Sequence, residues 1–433
     1  MNIKETKDFL ERLFPINRSI TGNGNRQTLN ILKEIIPIEL LEFESSKQVF
    51  DWTIPEEWNV KNAWIKSPDG KKLIDIAECN IHLMSYSVPF SGKLSFEDLK
   101  KNLYFDEENP EEIPYRTSYY KRTWGFCISK KQYEKMSHMV GEFEVFIDSE
   151  LNPKGSLTIG EFLVKGKSKE EVLVSTYLCH PSLANDNLSG VLLTALLAKE
   201  ISLLSSKLNK TYRFIWVPET IGAITYCAHN ESLMKSIDVG LVVTTVGGDG
   251  QFGYKQTFNK NHYLNSLIED VFNECSQEFV TYPFDINGSD ERQYSSQGFR
   301  INTATITKDK YYEYSQYHKA SDNLDFVRPE NLLKSLDLYE KLLKKIDLNI
   351  IYRNNLPNCE VMLSKYNLYP GIGGAHKPNE NTEFDIRRWL LFYCDGTKDL
   401  VDISKEIGYT IEQLSLEAEM LVKEGIMSKK VSS

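Results

Sequence analysis

Residues 171–204, EVLVSTYLCHPSLANDNLSGVLLTALLAKEISLL, join an apolar run, Val172 to Tyr177, to a helical pattern, Val191 to Leu204. The loop between them carries His180 and Asp186. An imidazole and a carboxylate leaving the end of a buried strand can share a borderline cation such as zinc. In open α/β sheets the loops beyond the carboxyl ends of strands are the usual place for ligands. The stretch therefore predicts a buried strand, a metal-binding loop and a covering helix.

The same texture extends outward. Between about 140 and 350, strand candidates Glu142–Ile147, Val172–Leu178, Tyr212–Val217, Val239–Val246 and Ile301–Thr307 alternate with helix candidates Leu188–Leu204, Ile221–Lys235, His262–Cys275 and Pro329–Ile346. Alternation of this kind predicts an α/β fold, with a mixed, mostly parallel sheet flanked by helices. Upstream, 4–14 and 26–36 have helical spacing on either side of the turn Thr21-Gly22-Asn23-Gly24-Asn25, and Ile38–Phe43 reads as a strand. From 52 to 131 the pattern changes to short alternating runs and turn pairs with many aromatics, among them Tyr115, Tyr119, Tyr120, Trp124 and Phe126. That span reads as an inserted, mostly β domain. The α/β domain is then 1–51 together with 132–352.

A break at Arg353–Asn358 and a loop at Pro370–Gly374 precede a separate module, 358–433. Its apolar spacing gives two short helices around Gly408 and a strand-like Glu424-Gly425-Ile426-Met427, which predicts a winged helix-turn-helix. Such modules often read DNA, but Glu360–Lys430 holds 9 Lys/Arg against 12 Asp/Glu, a balance of −3. DNA readers usually carry a basic stripe, so protein contact or assembly of a homo-oligomer is the expected role.

With 433 residues the chain exceeds the size of one typical core, and its 41% hydrophobic and 26% charged composition is that of a globular protein. No apolar run reaches the ~20 residues that span a bilayer, so no membrane partner is expected. The net charge of −10 gives no general attraction to polyanions. Seven scattered cysteines without Cys-x-x-Cys spacing point to reduced thiols and a cytoplasmic location.

Of seven histidines, His82, His138, His229, His262 and His376 lie apart from carboxylate clusters. His318 lies in a loop, Tyr311–Asn323, ahead of the last long helix and is a second ligand candidate. Glu219 follows the strand Tyr212–Val217, where it could act as general base on water or simply cap a helix. Asp290, in Gly288-Ser289-Asp290-Glu291, has the same two readings.

The order His180, Ala184-Asn185-Asp186-Asn187-Leu188-Ser189-Gly190, Glu219 with Ile221-Gly222, Ser289-Asp290 and His318 resembles the zinc exopeptidases of clan MH. That group includes bacterial leucyl aminopeptidases and glutaminyl cyclases, and the chain looks similar to a bacterial subgroup with a β insert and a C-terminal winged helix. The resemblance spans 140–350 and the first 50 residues. It implies that His180, Asp186 and His318 are metal ligands, Asp186 bridging in two-metal members, and that Glu219 is the catalytic base. Three positions depart from the family pattern. Thr220 stands where a second glutamate binds metal, Thr245 where the next acid is expected, and Ser182 where an aspartate orients the first histidine. Each of two metals thus loses an anionic ligand, so one zinc is expected, with Asp290, Thr220 or Thr245 as further ligands or supports. Arg292 could bind a substrate carboxylate, and Tyr312 or Tyr317 could donate to a developing oxyanion.

The expectation is a zinc-dependent aminopeptidase-type hydrolase acting on peptides or small amides. Two alternatives remain open at this stage. One is acyl transfer at a single zinc, as in glutaminyl cyclases; the other is a degenerate metal-binding scaffold with a docking or regulatory role.

Overall fold

The computed structural model describes residues 2–370 and 382–430; Gly371–Gly374 and His376 lie outside them. Eight strands form the main sheet: β1 (Glu39–Glu44), β2 (Ser156–Val164), β3 (Glu171–Tyr177), β4 (Thr211–Val217), β5 (Val239–Val243), β6 (Phe252–Lys255), β7 (Phe279–Tyr282) and β8 (Asn302–Thr307). Their order is β1-β2-β4-β3-β5-β8-β6-β7. The four central strands, β4, β3, β5 and β8, are mutually parallel, and antiparallel pairings flank them. Every residue of β4, β5 and β8 is buried. Parallel strands covered on both faces are near-continuously apolar, which is why their sequence does not alternate.

The covering helices are α1 (Ile3–Leu13), α2 (Asn23–Leu32), α3 (Gly190–Ser202), α4 (Ile221–His229), α5 (Tyr263–Glu274) and α6 (Pro329–Leu348). Helix α3 is apolar on nearly all sides, with ten buried residues from Gly190 to Ile201, because it lies between the sheet and α6. Helix α2 starts within the expected turn rather than after it. Asn25 explains this: its side chain accepts from Ser19 N and donates to Ser19 O, which folds the preceding loop onto the first helical turn. Gly24 is needed there, since a Cβ would meet Asn17 O at 2.0 Å.

A second, four-stranded sheet pairs Lys72–Asp75, Glu57–Lys66, Glu142–Asn152 and Phe90–Ser95 in that order. The strand Glu142–Asn152, expected in the main sheet, sits here between two antiparallel neighbours. Its burial alternates strictly from Glu142 to Ser149, the mark of a sheet with one face on a core. The C-terminal module contains α7 (Thr382–Tyr393), α8 (Leu400–Ile407) and α9 (Ile411–Lys423) with a three-stranded sheet, Asp395–Asp399, Ile351–Asn354 and Met427–Lys429. Ile351–Asn354 is the middle strand, so the module's sheet begins ahead of the break read from the sequence. The module is docked on α6: Lys345, 6% exposed at its side chain, pairs with Glu412 of α9 and Glu274 of α5, each at 2.7 Å.

Arg26 of α2 ties three strands together. It donates to both oxygens of Glu57 at 2.8 Å, to Glu42 of β1 and to Ser156 of β2. The Arg26 guanidinium holds the Glu57 carboxyl at about 2, below its ordinary 4.5, against the opposing effect of burial. A depressed carboxylate stabilises the fold above its unfolded pKa and loses that contribution as pH falls toward the folded value. Glu57→Gln is therefore expected to cost about 1–3 kcal/mol at neutral pH. The difference from wild type should shrink as pH drops from 4.5 toward 2, read by urea unfolding across that window. A pH-independent difference would contradict this role.

Candidate metal centre

The carboxyl ends of β3, β4, β5 and β8 open toward one side of the sheet, and the loops leaving them bring the expected residues together. His180 lies three residues beyond β3, and its Nε2 is 3.7 Å from Asp186 Oδ2 and 3.8 Å from Glu219 Oε2. Asp186 sits in the turn that enters α3, where its own φ/ψ of −111°/80° is non-helical. His318, on the loop after β8, places Nε2 3.1 Å from the same Asp186 Oδ2. Ligand atoms of His180, Asp186 and His318 all lie within 4.8 Å of one another.

These atoms are poorly satisfied by the protein. Asp186 Oδ2, His318 Nε2 and His180 Nδ1 are buried, and no hydrogen bond with acceptable direction reaches any of them. Leaving buried polar atoms unpaired costs about 1–3 kcal/mol each. A divalent cation between the imidazoles and the carboxylate would satisfy two of the three at once, so the donor set fits zinc.

Electrostatics agree with ligand roles. Burial pushes His180 down to about 4, which keeps the imidazole neutral. Burial acts to raise Asp186, but His180 and His318 outweigh it and hold the carboxylate below its usual range. Burial, and then the charge of Asp186, pushes Glu219 up to about 7, the range useful to a general base at neutral pH. Asp290 is driven well above the carboxylate range by burial and by Glu219. Its Oδ1 accepts from Thr220 N at 2.7 Å, while Oδ2 is buried without a partner.

The remaining candidates take distinct positions. Thr220 accepts from Arg292 Nη2 at 3.2 Å, which sets the guanidinium beside Glu219. Thr245 Oγ1 is buried without a partner, whereas Thr244 Oγ1 is 2.6 Å from the Tyr177 hydroxyl that also donates to Asp186 Oδ1. Ser182 does not hold His180; it donates to Phe14 O at 3.0 Å. Tyr317 stacks on His318 with ring centroids 4.0 Å apart, and Tyr312, 64% exposed, packs edge-on against Tyr317 at the mouth of the site.

Three contributors have no motif to announce them. Asp322 is buried and accepts from Asn185 N at 2.6 Å and Asp186 N at 3.0 Å, and Tyr314 donates to it at 3.1 Å. It thereby joins the loop of His318 to the loop of Asp186. Tyr177 fixes the second oxygen of Asp186; only its place at the strand end, next to the motif, could have flagged it. Tyr115, on the irregular segment that follows the strand Leu103–Tyr104, has its ring 4.6 Å from His180 and 5.4 Å from His318, and its N–H donates to His318 O at 2.8 Å. The segment around Tyr115 thus forms one wall of the site.

Comparison with known proteins follows the same outline. The family described as "Domain of unknown function (DUF4910)" matches residues 7–349, and a winged helix-turn-helix family matches 350–429. The chain belongs to the first of these families. A Clostridium acetobutylicum protein, provisionally named for polysaccharide biosynthesis with an aminopeptidase-like domain, is 40% identical over 421 residues, 97% of this chain and 95% of that one. A crystal structure of a protein provisionally called a peptidase, from the same organism, superposes with a TM-score of 0.85 at 38% identity, covering 99% of this chain and 96% of its own. A zinc aminopeptidase from Bacillus subtilis superposes with a TM-score of 0.57 at 13% identity, covering 80% of this chain and 95% of its own, so the two share a fold.

Asp322→Asn keeps the size of the side chain but turns one acceptor into a donor facing a backbone N–H. Outer supports of this kind typically govern metal affinity by about 10–100-fold. Zinc affinity, measured by chelator competition, is expected to fall by that much while the protein stays folded. Unchanged affinity would show that the two loops do not need this tie.

Proposed function

We propose that this protein is a metal-dependent amide hydrolase of aminopeptidase type, acting on peptides or small amides. The observation that carries the reading is the trio His180, Asp186 and His318, with unsatisfied buried donors, set beside a carboxylate raised to about 7. One zinc is the preferred cofactor, because Thr220 and Thr245 replace the two acids that a second ion would need. His180, Asp186 and His318 would hold it, and when bound it supplies Lewis-acid polarisation of the scissile carbonyl.

The chain's own groups complete the chemistry. Glu219 Oε2 accepts a proton from the attacking water and returns it to the departing amine. The pull of Arg292 favours the ionised form of Glu219 that the first step requires. The same guanidinium, partly buried at the edge of the site, is placed to receive an anionic substrate group. Tyr317, held against His318, and the more exposed Tyr312 line the approach and can offer a phenolic donor to charge developing on the carbonyl oxygen. Tyr115 bars approach from the insert side. The name of the Clostridium acetobutylicum relative widens the search from peptides to amides borne on sugars.

The winged helix fits a docking role better than DNA reading. Glu412 and Glu417 on α9 are engaged by Lys345 and Arg387, and Lys345 belongs to the catalytic body. Seven unpaired thiols favour a reducing compartment. Among the described residues no helix is long and apolar enough to cross a membrane.

Two measurements test the proposal. Glu219→Gln should retain zinc and lose about 10²–10⁴-fold in amide turnover, screened on aminoacyl and N-acyl substrates. Zinc retained with full turnover would remove Glu219 from the mechanism. For the tail, fluorescence titration of the intact protein with duplex DNA should show no salt-dependent binding. A steep loss of affinity between low and moderate salt would instead identify a nucleic-acid reader.

A further inference from the structure

His180 belongs to a second cluster that the hydrolytic reading does not use. Cys179 Sγ, a His180 ring nitrogen and a Glu219 oxygen also lie within 4.8 Å of one another. The thiol is fully buried at the start of the loop leaving β3, and Glu219 N–H donates to its sulfur at 3.3 Å. His180 is 5% exposed, and its Nδ1 has no hydrogen-bond partner. Behind the pair lies Arg18, also fully buried. Its Nη2 donates to His180 O at 3.3 Å and its Nη1 to Leu13 O at 2.7 Å, while Nε has no partner. Its hydrogen bonds thus go to carbonyls and none to a carboxylate. A guanidinium buried in this way carries a desolvation cost that a nearby anion would offset.

We propose that Cys179, His180 and Glu219 form a second metal position, selective for soft or borderline divalent ions, that competes with the first through the shared imidazole. Sulfur, nitrogen and carboxylate oxygen in one buried cluster make a donor set suited to zinc, cobalt or cadmium and unsuited to magnesium or calcium. On binding, the S–H bond breaks, its proton leaves to solvent, and the sulfur pair forms the bond to the ion. The resulting thiolate supplies the negative charge that Arg18 lacks. Glu219 serves here as a ligand and is no longer free to move protons, so filling this position inhibits the hydrolase. That last consequence rests on the proposed function; the metal position itself does not.

The test is a cobalt titration followed by near-ultraviolet absorption, in which a thiolate bound to cobalt gives a charge-transfer band. Wild type and His318→Ala, which dismantles only the first position, should both develop the band. Cys179→Ser should lose it, with circular dichroism confirming the fold. Should Cys179→Ser fail to fold, Glu219→Gln takes its place and should shift the cobalt midpoint at least about tenfold upward. The proposal is overturned if wild type shows no band, if Cys179→Ser keeps it, or if Glu219→Gln leaves the midpoint unchanged. A band on cobalt titration, with no amide hydrolysis by cobalt-free protein holding one equivalent of zinc, would sink the hydrolase reading and leave this site standing. Hydrolysis by the zinc protein with no band on cobalt titration would do the reverse.

Discussion

Two loops from strands that do not neighbour each other must meet for this site to exist, and the buried carboxylate of Asp322 is what joins them. It lies four residues after His318 and accepts from the backbone N–H groups of Asn185 and Asp186. Burial, two hydrogen-bonded N–H donors and the adjacent charge of Asp186 compete over its protonation, and the balance pushes it up to about 7. A carboxyl group is tolerated at such depth only when its oxygens are satisfied. Here the backbone of the Asp186 turn and the Tyr314 hydroxyl do that. The consequence reaches outward: Asp186 is presented to His180 and His318 by a backbone it cannot leave.

The same region concentrates more negative charge than its cations balance. Asp186, Glu219, Asp290 and Asp322 are drawn together at the strand ends, and burial and mutual repulsion raise three of the four. Asp186 alone is held low, by two imidazoles that are themselves short of partners. A divalent cation would relieve both strains, so the proposed metal site rests on the balance of groups as well as on family likeness.

Much of this was legible in the chain. The loop 178–190, the strands around it, the α/β alternation and the winged tail all follow from local periodicity and turn residues. His180, Asp186, Glu219 and His318 meet as their order implied. What escaped depends on pairing over distance. Glu142–Asn152 carries a strand pattern, but nothing in it says which sheet it joins. The short strands β6 and β7 are four residues each, too few to establish a period. Tyr115 lies in a run of aromatics where any of several could reach the site, and only the pairing of Ile113–Tyr115 with the His318–Ala320 segment selects it. Thr244 and Thr245 are adjacent hydroxyls, and the twist at Thr245, with φ of 47°, decides which one joins Tyr177.

We propose one ion between Asp186 Oδ2 and the imidazoles of His180 and His318. Anomalous diffraction recorded on both sides of the zinc absorption edge, from crystals grown with one equivalent of zinc, tests it directly. A single strong peak is expected within bonding distance of all three side chains. A peak elsewhere in the fold, or none at full zinc occupancy in solution, would contradict it.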